Sequence, residues 1–360
     1  MRKKIIFDYQ IFLKQKYGGP SRYFVELNNN LNSNEFLDYQ VMAPLHINRH
    51  LKGSLFNKNN FFFFKKFNLN NLFKNFNQKV TLKKINSISN LIMHSTYYDL
   101  TYLDNVKCNK VVTIFDLIHE KFYPKSKLKI DDVKSKAIEK ADFFICISKN
   151  TQRDLIEYYN VKEEQTKVIY LSSSLPKNNN INFNIDKNFF LFVGNREGYK
   201  NSKFIVNALS KYDKFKKNFK LYFFGGLNFS KEEINNFKDL GIYENIKHLG
   251  NDEKILPGLY KNALCLIYPS LYEGFGIPLL EAMENDCPIL CCDTPAVKEI
   301  GENAAIYFEK ENEESFIHNL DKIVYSSDFS DNLKKLGRQR RSFFSWKKCA
   351  NQTEEVYKNL

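Results

Sequence analysis

Residues 263–283 read A-L-C-L-I-Y-P-S-L-Y-E-G-F-G-I-P-L-L-E-A-M, and the order of residue types in them decides the fold. An apolar run of strand length, A-L-C-L-I-Y-P (263–269), passes through a glycine-bearing turn into a helix whose first turn suits Pro278. Two glutamates, Glu273 and Glu281, bracket that turn with seven residues between them. Gly274 and Gly276 let the backbone approach a ligand closely, and the free N–H groups at the helix start favour an anion, most naturally a phosphate. Two carboxylates beside a diphosphate would repel it unless they face other groups. Sugar hydroxyls are the obvious partners, because ionised carboxylates accept hydrogen bonds strongly. Taken alone, the stretch reads as well as a strand-to-helix turn with solvated acids.

The same alternation extends in both directions. N-F-F-L-F-V-G (188–194), K-L-Y-F-F-G-G (220–226), N-I-K-H-L-G (245–250) and P-I-L-C-C-D (288–293) read as strands with helices between them, S-K-F-I-V-N-A-L (202–209) among these. An earlier series comprises K-K-I-I-F-D (3–8), N-L-I-M-H-S (90–95), K-V-V-T-I-F-D (110–116), D-F-F-I-C-I-S (142–148) and K-V-I-Y-L (167–171). S-R-Y-F-V-E-L-N-N-N-L (21–31) follows Pro20 as an amphipathic helix, and Ser148 is an N-cap for the helix 149–159. Between the two series lies the polar S-S-S-L-P-K-N-N-N-I-N-F-N, the best linker in the chain. The expected class is therefore α/β: a Rossmann-like domain over 1–175, a linker over 176–187, and a second Rossmann-like domain over 188–342. Parallel sheets of this kind bind ligands beyond the carboxyl ends of their strands, so two such domains are expected to face a cleft.

At 360 residues the chain suits two domains better than one core. It has no run of eighteen apolar residues, and M-R-K-K-I-I-F-D turns acidic too soon for a secretory signal, so the expectation is a cytoplasmic protein. Its seven cysteines fit a reducing compartment; Cys287, Cys291 and Cys292 lack paired spacing and a nearby histidine, and read as packing residues. The net charge of +13 lies wholly in residues 1–180, which hold 29 Lys/Arg against 16 Asp/Glu, while 181–360 hold 25 of each. Residues 51–84 contain eight lysines, interleaved with phenylalanine, and no acid. That pattern suits an anionic membrane surface, with the protein peripheral on the inner face of the plasma membrane; it equally suits a core helix solvated by its lysines.

Two further loops belong with the first. F-V-G-N-R-E-G-Y-K-N (192–201) carries Gly194, Arg196 and Lys200 to a strand end, where cations can neutralise a diphosphate and stabilise it as it leaves. Q-K-Y-G-G-P-S-R-Y-F (15–24) places Gly18 and Gly19 before a helix and is not a G-x-G-x-x-G fingerprint, which argues against nicotinamide.

Together these stretches resemble the retaining glycosyltransferases of family four, which have the GT-B fold. The resemblance rests on I-Y-P-S-L-Y-E-G-F-G-I-P-L-L-E-A-M, on the two loops above, on H-S-T-Y-Y-D (94–99), T-I-F-D-L-I-H-E-K-F (113–122) and D-T-P-A-V-K-E-I-G-E-N-A-A (293–305), and on the end F-F-S-W-K-K-C-A-N-Q-T-E-E-V-Y (343–357). It implies a last helix, within 343–360, that crosses back to the first domain. It also implies that Glu273 contacts the donor sugar and Glu281 the ribose of the nucleotide. Backbone around Gly274, Phe275, Gly276 and Ile277 would approach the sugar and diphosphate. Lys200 matches the family lysine that meets the diphosphate, and Arg196 stands one place later than the family arginine. Gly194, Gly18 and Gly19 match the glycine turns near the phosphates, and His94, Asp116 and His119 are candidate cleft contacts. Phe115 occupies a position where many relatives have histidine.

The implied reaction moves a sugar from a nucleotide diphosphate to a hydroxyl of a glycan or lipid-linked acceptor, with retention and without a metal or other cofactor. A surface polysaccharide or lipopolysaccharide is the expected product, GDP-mannose the first expected donor and a UDP-sugar the next. Rival readings are a nucleotide-sugar epimerase or a sugar phosphorylase on the same fold. A basic nucleic-acid-binding protein is the rival of another class, and it leaves the loops of the second half unexplained.

Overall fold

The run Phe189–Val193, FFLFV, is buried from end to end. A strand without a solvated face needs neighbours on both edges and helices on both faces. The computed structural model, which describes residues 2–52, 62–63, 70–123, 129–176, 186 and 188–360, supplies both within each of two units. The first comprises residues 1–171 and 345–360, the second residues 172–344.

In the first unit β1 (Lys3–Phe7), β2 (Leu37–Val41), β5 (Leu91–Ser95), β6 (Asn109–Ile114), β7 (Phe143–Cys146) and β8 (Thr166–Val168) form a sheet in the order β2-β1-β5-β6-β7-β8. Every neighbouring pair is parallel. Two short strands, β3 (Leu45–His46) and β4 (Phe62–Phe63), pair apart from it. The helix Gly19–Asn30 starts with Pro20 in its first turn, and Ser148 caps the helix Lys149–Tyr159 by accepting from Thr151 N, both as the residue types require.

The second unit repeats the design. β9 (Phe189–Val193), β10 (Lys220–Phe224), β11 (Ile246–His248), β12 (Cys265–Tyr268), β13 (Ile289–Cys292) and β14 (Ile306–Phe308) lie in the order β11-β10-β9-β12-β13-β14. Again all pairs are parallel. The chain runs outward through β10 and β11, then returns to the other side of β9 as β12. This reversal opens a crevice beyond the carboxyl ends of β9 and β12, the place where open parallel sheets hold ligands. The loops after these two strands are the ones that carry Lys200 and Glu273.

Three details differ from the sequence expectation. β2 and β14 were not anticipated: β2 alternates between buried and half-buried residues at a sheet edge, and β14 is only three residues long. The division between units falls at Leu171/Ser172, not at 175. Ser172 and Ser173 are tied into the second unit: Ser172 Oγ donates to Phe344 O at 3.3 Å, and Ser173 bonds Glu284 and, at 3.0 Å, Arg341. Most of the expected linker, 177–185 and 187, lies outside the described residues.

The last helix, Trp346–Asn359, belongs to the first unit. Ser345 caps it, and its Tyr357 is fully buried with its hydroxyl 2.5 Å from Nδ1 of His94. Tyr39 adds a hydrogen bond to Glu354, 3.1 Å long. Among the described residues no helix is long and apolar enough to cross a membrane.

Candidate functional site

The site is built in the second unit by two loops that are stitched together through their backbones. Beyond β9, Gly198–Lys200 makes one turn of 3-10 helix, and Tyr199 O accepts from Leu271 N of the loop beyond β12 at 2.8 Å. That register brings Lys200 Nζ to 2.6 Å from Glu273 Oε1. Both side chains are largely shielded, with 15% and 10% exposure, so the attraction between them is only weakly screened. Gly194 makes its turn at φ +128, a conformation that side-chain-bearing residues rarely adopt.

Past Glu273 the chain turns sharply into the helix Ile277–Glu284. Gly276 is its N-cap at φ +109, and Pro278 lies in the first turn, where its missing N–H is not needed. No side chain caps this helix start, whose positive dipole end favours an anion; Pro278 has no N–H to offer, and Leu279 N donates to Gly276 O at 3.0 Å. Gly274 and Phe275 are buried beneath the turn, Phe275 edge-on to Phe344 at 6.0 Å, and Ile277 is half-buried. Glu281, one turn into the helix, is 4% exposed, and its Oε2 accepts from the Tyr260 hydroxyl at 2.9 Å. Tyr268, at the end of β12, lies beside the Lys200–Glu273 pair, its ring centre 5.4 Å from Lys200 Nζ. Burial first, and then the adjacent carboxylate, push both phenols well above their ordinary range, so they remain protonated donors. Sequence reasoning missed both tyrosines. Tyr268 is hidden in an apolar strand, and Tyr260 lies 21 residues before its partner with no motif to mark it.

Arg196 is paired with a carboxylate of its own unit. It was expected to serve a diphosphate, but Nε and Nη2 are given to Glu233 at 2.7 and 3.2 Å, and Nη2 also to Asn228 O at 3.2 Å. The guanidinium lies over Phe229, 4.8 Å from the ring centre. Glu233 is fixed in turn by a capping box with Ser230 at the start of the helix Lys231–Asp239. Arg196 Nη1 is buried without a hydrogen-bond partner, while Nε and Nη2 anchor the loop that presents Lys200; Ser202 Oγ completes the anchor with a 2.7 Å bond to Arg196 O.

The remaining candidates belong to the first unit. Gly18 precedes the helix Gly19–Asn30, and a side chain there would collide with Gln15, whereas the space beside Gly19 is open. Asp116 accepts from Ile118 N at 3.1 Å, and burial pushes its carboxyl up. His119 Nδ1 is buried without a hydrogen-bond partner. His94, expected as a cleft contact, is fully buried, with Nε2 2.8 Å from Thr113 Oγ1 and Nδ1 against Tyr357; its role is in the core. Phe115 packs edge-on to Tyr23 at 5.4 Å. Missed altogether was Asp8, at the end of β1 beside that sheet's own reversal point. It is fully buried and accepts from Thr96 N, Thr96 Oγ1, Ser95 Oγ and Tyr102 Oη at 2.6–3.0 Å.

Among the described residues no group of three His, Cys, Asp or Glu could hold a metal ion. Cys287, Cys291 and Cys292 are buried, and burial raises their thiols, as packing residues require. Residues 53–61 and 64–69 of the lysine-rich segment lie outside the described residues. From Asn70 to Ile85 that segment is helical, with Leu72 61% and Phe76 48% exposed.

Residues 175–340 match the family described as glycosyl transferases group 1. The O-antigen chain mannosyltransferase RfbU of Salmonella typhimurium is 28% identical over 226 residues, covering 60% of this chain and 62% of that one. The chain thus matches less than two thirds of that relative's length. Among solved structures, sucrose-phosphate synthase from Thermosynechococcus elongatus aligns with TM-score 0.76 at 16% identity, over 100% of this chain and 99% of that one. The Anabaena protein HepE in complex with UDP-glucose aligns with TM-score 0.71 at 15% identity, over 100% of both chains. At such identities these likenesses show the fold, GT-B.

Proposed function

We propose that the chain, whose residues 175–340 match the glycosyl transferases group 1 family, is a retaining glycosyltransferase that uses a nucleotide diphosphate sugar. The observation that carries the reading is the Lys200–Glu273 pair, 2.6 Å apart beside an uncapped helix start, with a second carboxylate, Glu281, one turn further on. A cation beside the positive end of a helix suits a diphosphate; two separately placed carboxylates suit the hydroxyls at either end of it.

In this reading Glu281 holds the ribose, Glu273 holds the transferred sugar, and Lys200 with the helix start stabilises the departing diphosphate, in the place of a divalent metal. The bond from the anomeric carbon to the diphosphate oxygen breaks with its electron pair going to the diphosphate. The acceptor hydroxyl bonds the anomeric carbon from the same face and gives its proton to the departing phosphate. Glu273, already paired with Lys200, orients the sugar and offsets the positive charge that develops on it.

The named activity of the Salmonella relative supports mannose as the sugar, hence GDP-mannose as the donor, and an O-antigen-like glycan or its lipid-linked precursor as the acceptor. UDP-sugars are second, supported by the UDP-glucose complex of the structural neighbour. Docking of the lysine- and phenylalanine-rich segment 51–84 on an anionic membrane would bring the enzyme to a lipid-linked acceptor. The test is a thermal-shift screen of GDP-, UDP-, ADP- and dTDP-sugars, followed by an assay of nucleotide release. Release that depends on an added acceptor supports transfer; equal release without one, or interconversion of the sugar, contradicts it.

A further inference from the structure

Each carboxylate of the site has its own buried phenol. Tyr260, in the helix Leu256–Asn262, donates to Glu281 Oε2 at 2.9 Å and is itself fully buried. Tyr268, on β12, is 2% exposed, and its ring centre lies 5.4 Å from Lys200 Nζ, the partner of Glu273. A glutamate side chain has three rotatable bonds and a carboxylate that turns freely at its end. A phenol has two torsions, and packing on all sides fixes both, so it clamps one carboxylate oxygen and thereby sets the plane of the group. The two phenols come from different elements, a helix and a strand, and each stands beside one of the two glutamates of the site.

We propose that Tyr260 and Tyr268 are positioning residues, Tyr260 setting Glu281 for the nucleotide and Tyr268 setting Glu273 for the transferred sugar. This rests on the site reading given above, and it adds that nucleotide affinity and turnover are tuned by separate phenols. Exchange of each for phenylalanine keeps the ring and its packing and removes only the hydroxyl, so the two tasks are expected to separate.

The experiment uses the nucleoside diphosphate, among GDP, UDP, ADP and dTDP, that raises the wild-type melting temperature most, and the matching nucleotide sugar for turnover. Tyr260→Phe is expected to weaken nucleotide binding about tenfold with kcat within about threefold of wild type. Tyr268→Phe is expected to lower kcat about tenfold with nucleotide Kd within about threefold. In a double-mutant cycle, Tyr260→Phe added to Glu281→Ala brings no further loss of affinity, which a purely structural phenol would not show. Equal effects of both phenols on both parameters, or full additivity in the cycle, would overturn the assignment. If Glu281→Ala and Glu273→Ala act while the tyrosine variants do not, this proposal alone falls. If the glutamate variants are themselves without effect, the site reading falls and takes the proposal with it.

Discussion

Lys200 Nζ and Glu273 Oε1 are 2.6 Å apart, on loops from β9 and β12 that a backbone bond between Leu271 and Tyr199 holds in register. One charge of such a shielded pair without the other is unfavourable, since its remaining partner is left uncompensated in a partly dry site. Lys200→Met and Glu273→Gln should therefore each lower stability by roughly 1–3 kcal/mol, and the double variant should recover part of that loss. Chemical denaturation of the three proteins checks it; full additivity of the two losses would mean that the pair is not coupled. The stability cycle is independent of any ligand and tests the geometry alone.

A second prediction concerns pH and the first unit. Burial pulls the His94 imidazole down to about 3, so the folded chain keeps it neutral between Thr113 and Tyr357. The unfolded chain takes up a proton at that residue as pH falls below about 6.5, and the folded chain does not. Stability contributed by neutral His94 is thus complete above about 6.5 and is lost as pH falls from there toward 3. Between pH 7 and pH 5 the loss should be about 2 kcal/mol from this residue. His94→Gln should flatten that part of the pH profile, measured by denaturation at each pH; an unchanged slope would show that the buried imidazole does not control it.

Gly276 supplies a third. At φ +109 it adopts a backbone conformation that alanine reaches only with strain, although the nearest side-chain atom, in Leu279, would stand at an ordinary 3.5 Å. Gly276→Ala should cost about 1–3 kcal/mol through strain and weaken nucleotide binding by shifting the helix start. Calorimetry and titration of the same variant check the two effects together. An alanine variant with wild-type stability would mean that the turn relaxes freely.

A fourth tests the basic segment of the first half. Exchange of several lysines within 51–84 for glutamate should weaken binding to vesicles rich in anionic lipid, by about 1 kcal/mol for each charge near the surface. Sedimentation with vesicles reads it. Unchanged binding would remove the membrane-docking role.

The sequence carried the second unit's fold and its pair of acids almost entirely. Apolar strands such as FFLFV alternate with helices by a rule that composition cannot disguise, and glycines and a proline mark the turn at 274–278. Edge strands were harder: β2 reads L-D-Y-Q-V, an alternation with only half its residues buried, and β14 is too short to register. The bond from Arg196 to Glu233 was not legible, because Glu233 is 37 residues away and is fixed by a capping box that spacing does not connect to the loop. His94 was misread for the same reason; Tyr357, which makes it a core residue, is 263 positions away. Long-range polar partners, more than elements, were what one-dimensional reading could not reach.

In the proposed reading Glu281 holds the nucleotide and Glu273 serves the sugar, within a site supplied with positive charge by Lys200. Thermal shift with nucleoside diphosphates and their sugars, on wild type, Glu281→Ala and Glu273→Ala, tests it most directly. At least one nucleotide, GDP first, should stabilise the wild type. Glu281→Ala should lose that stabilisation, while Glu273→Ala should keep it and lose turnover. Equal stabilisation of the wild type and Glu281→Ala, or none by any nucleotide, would contradict it.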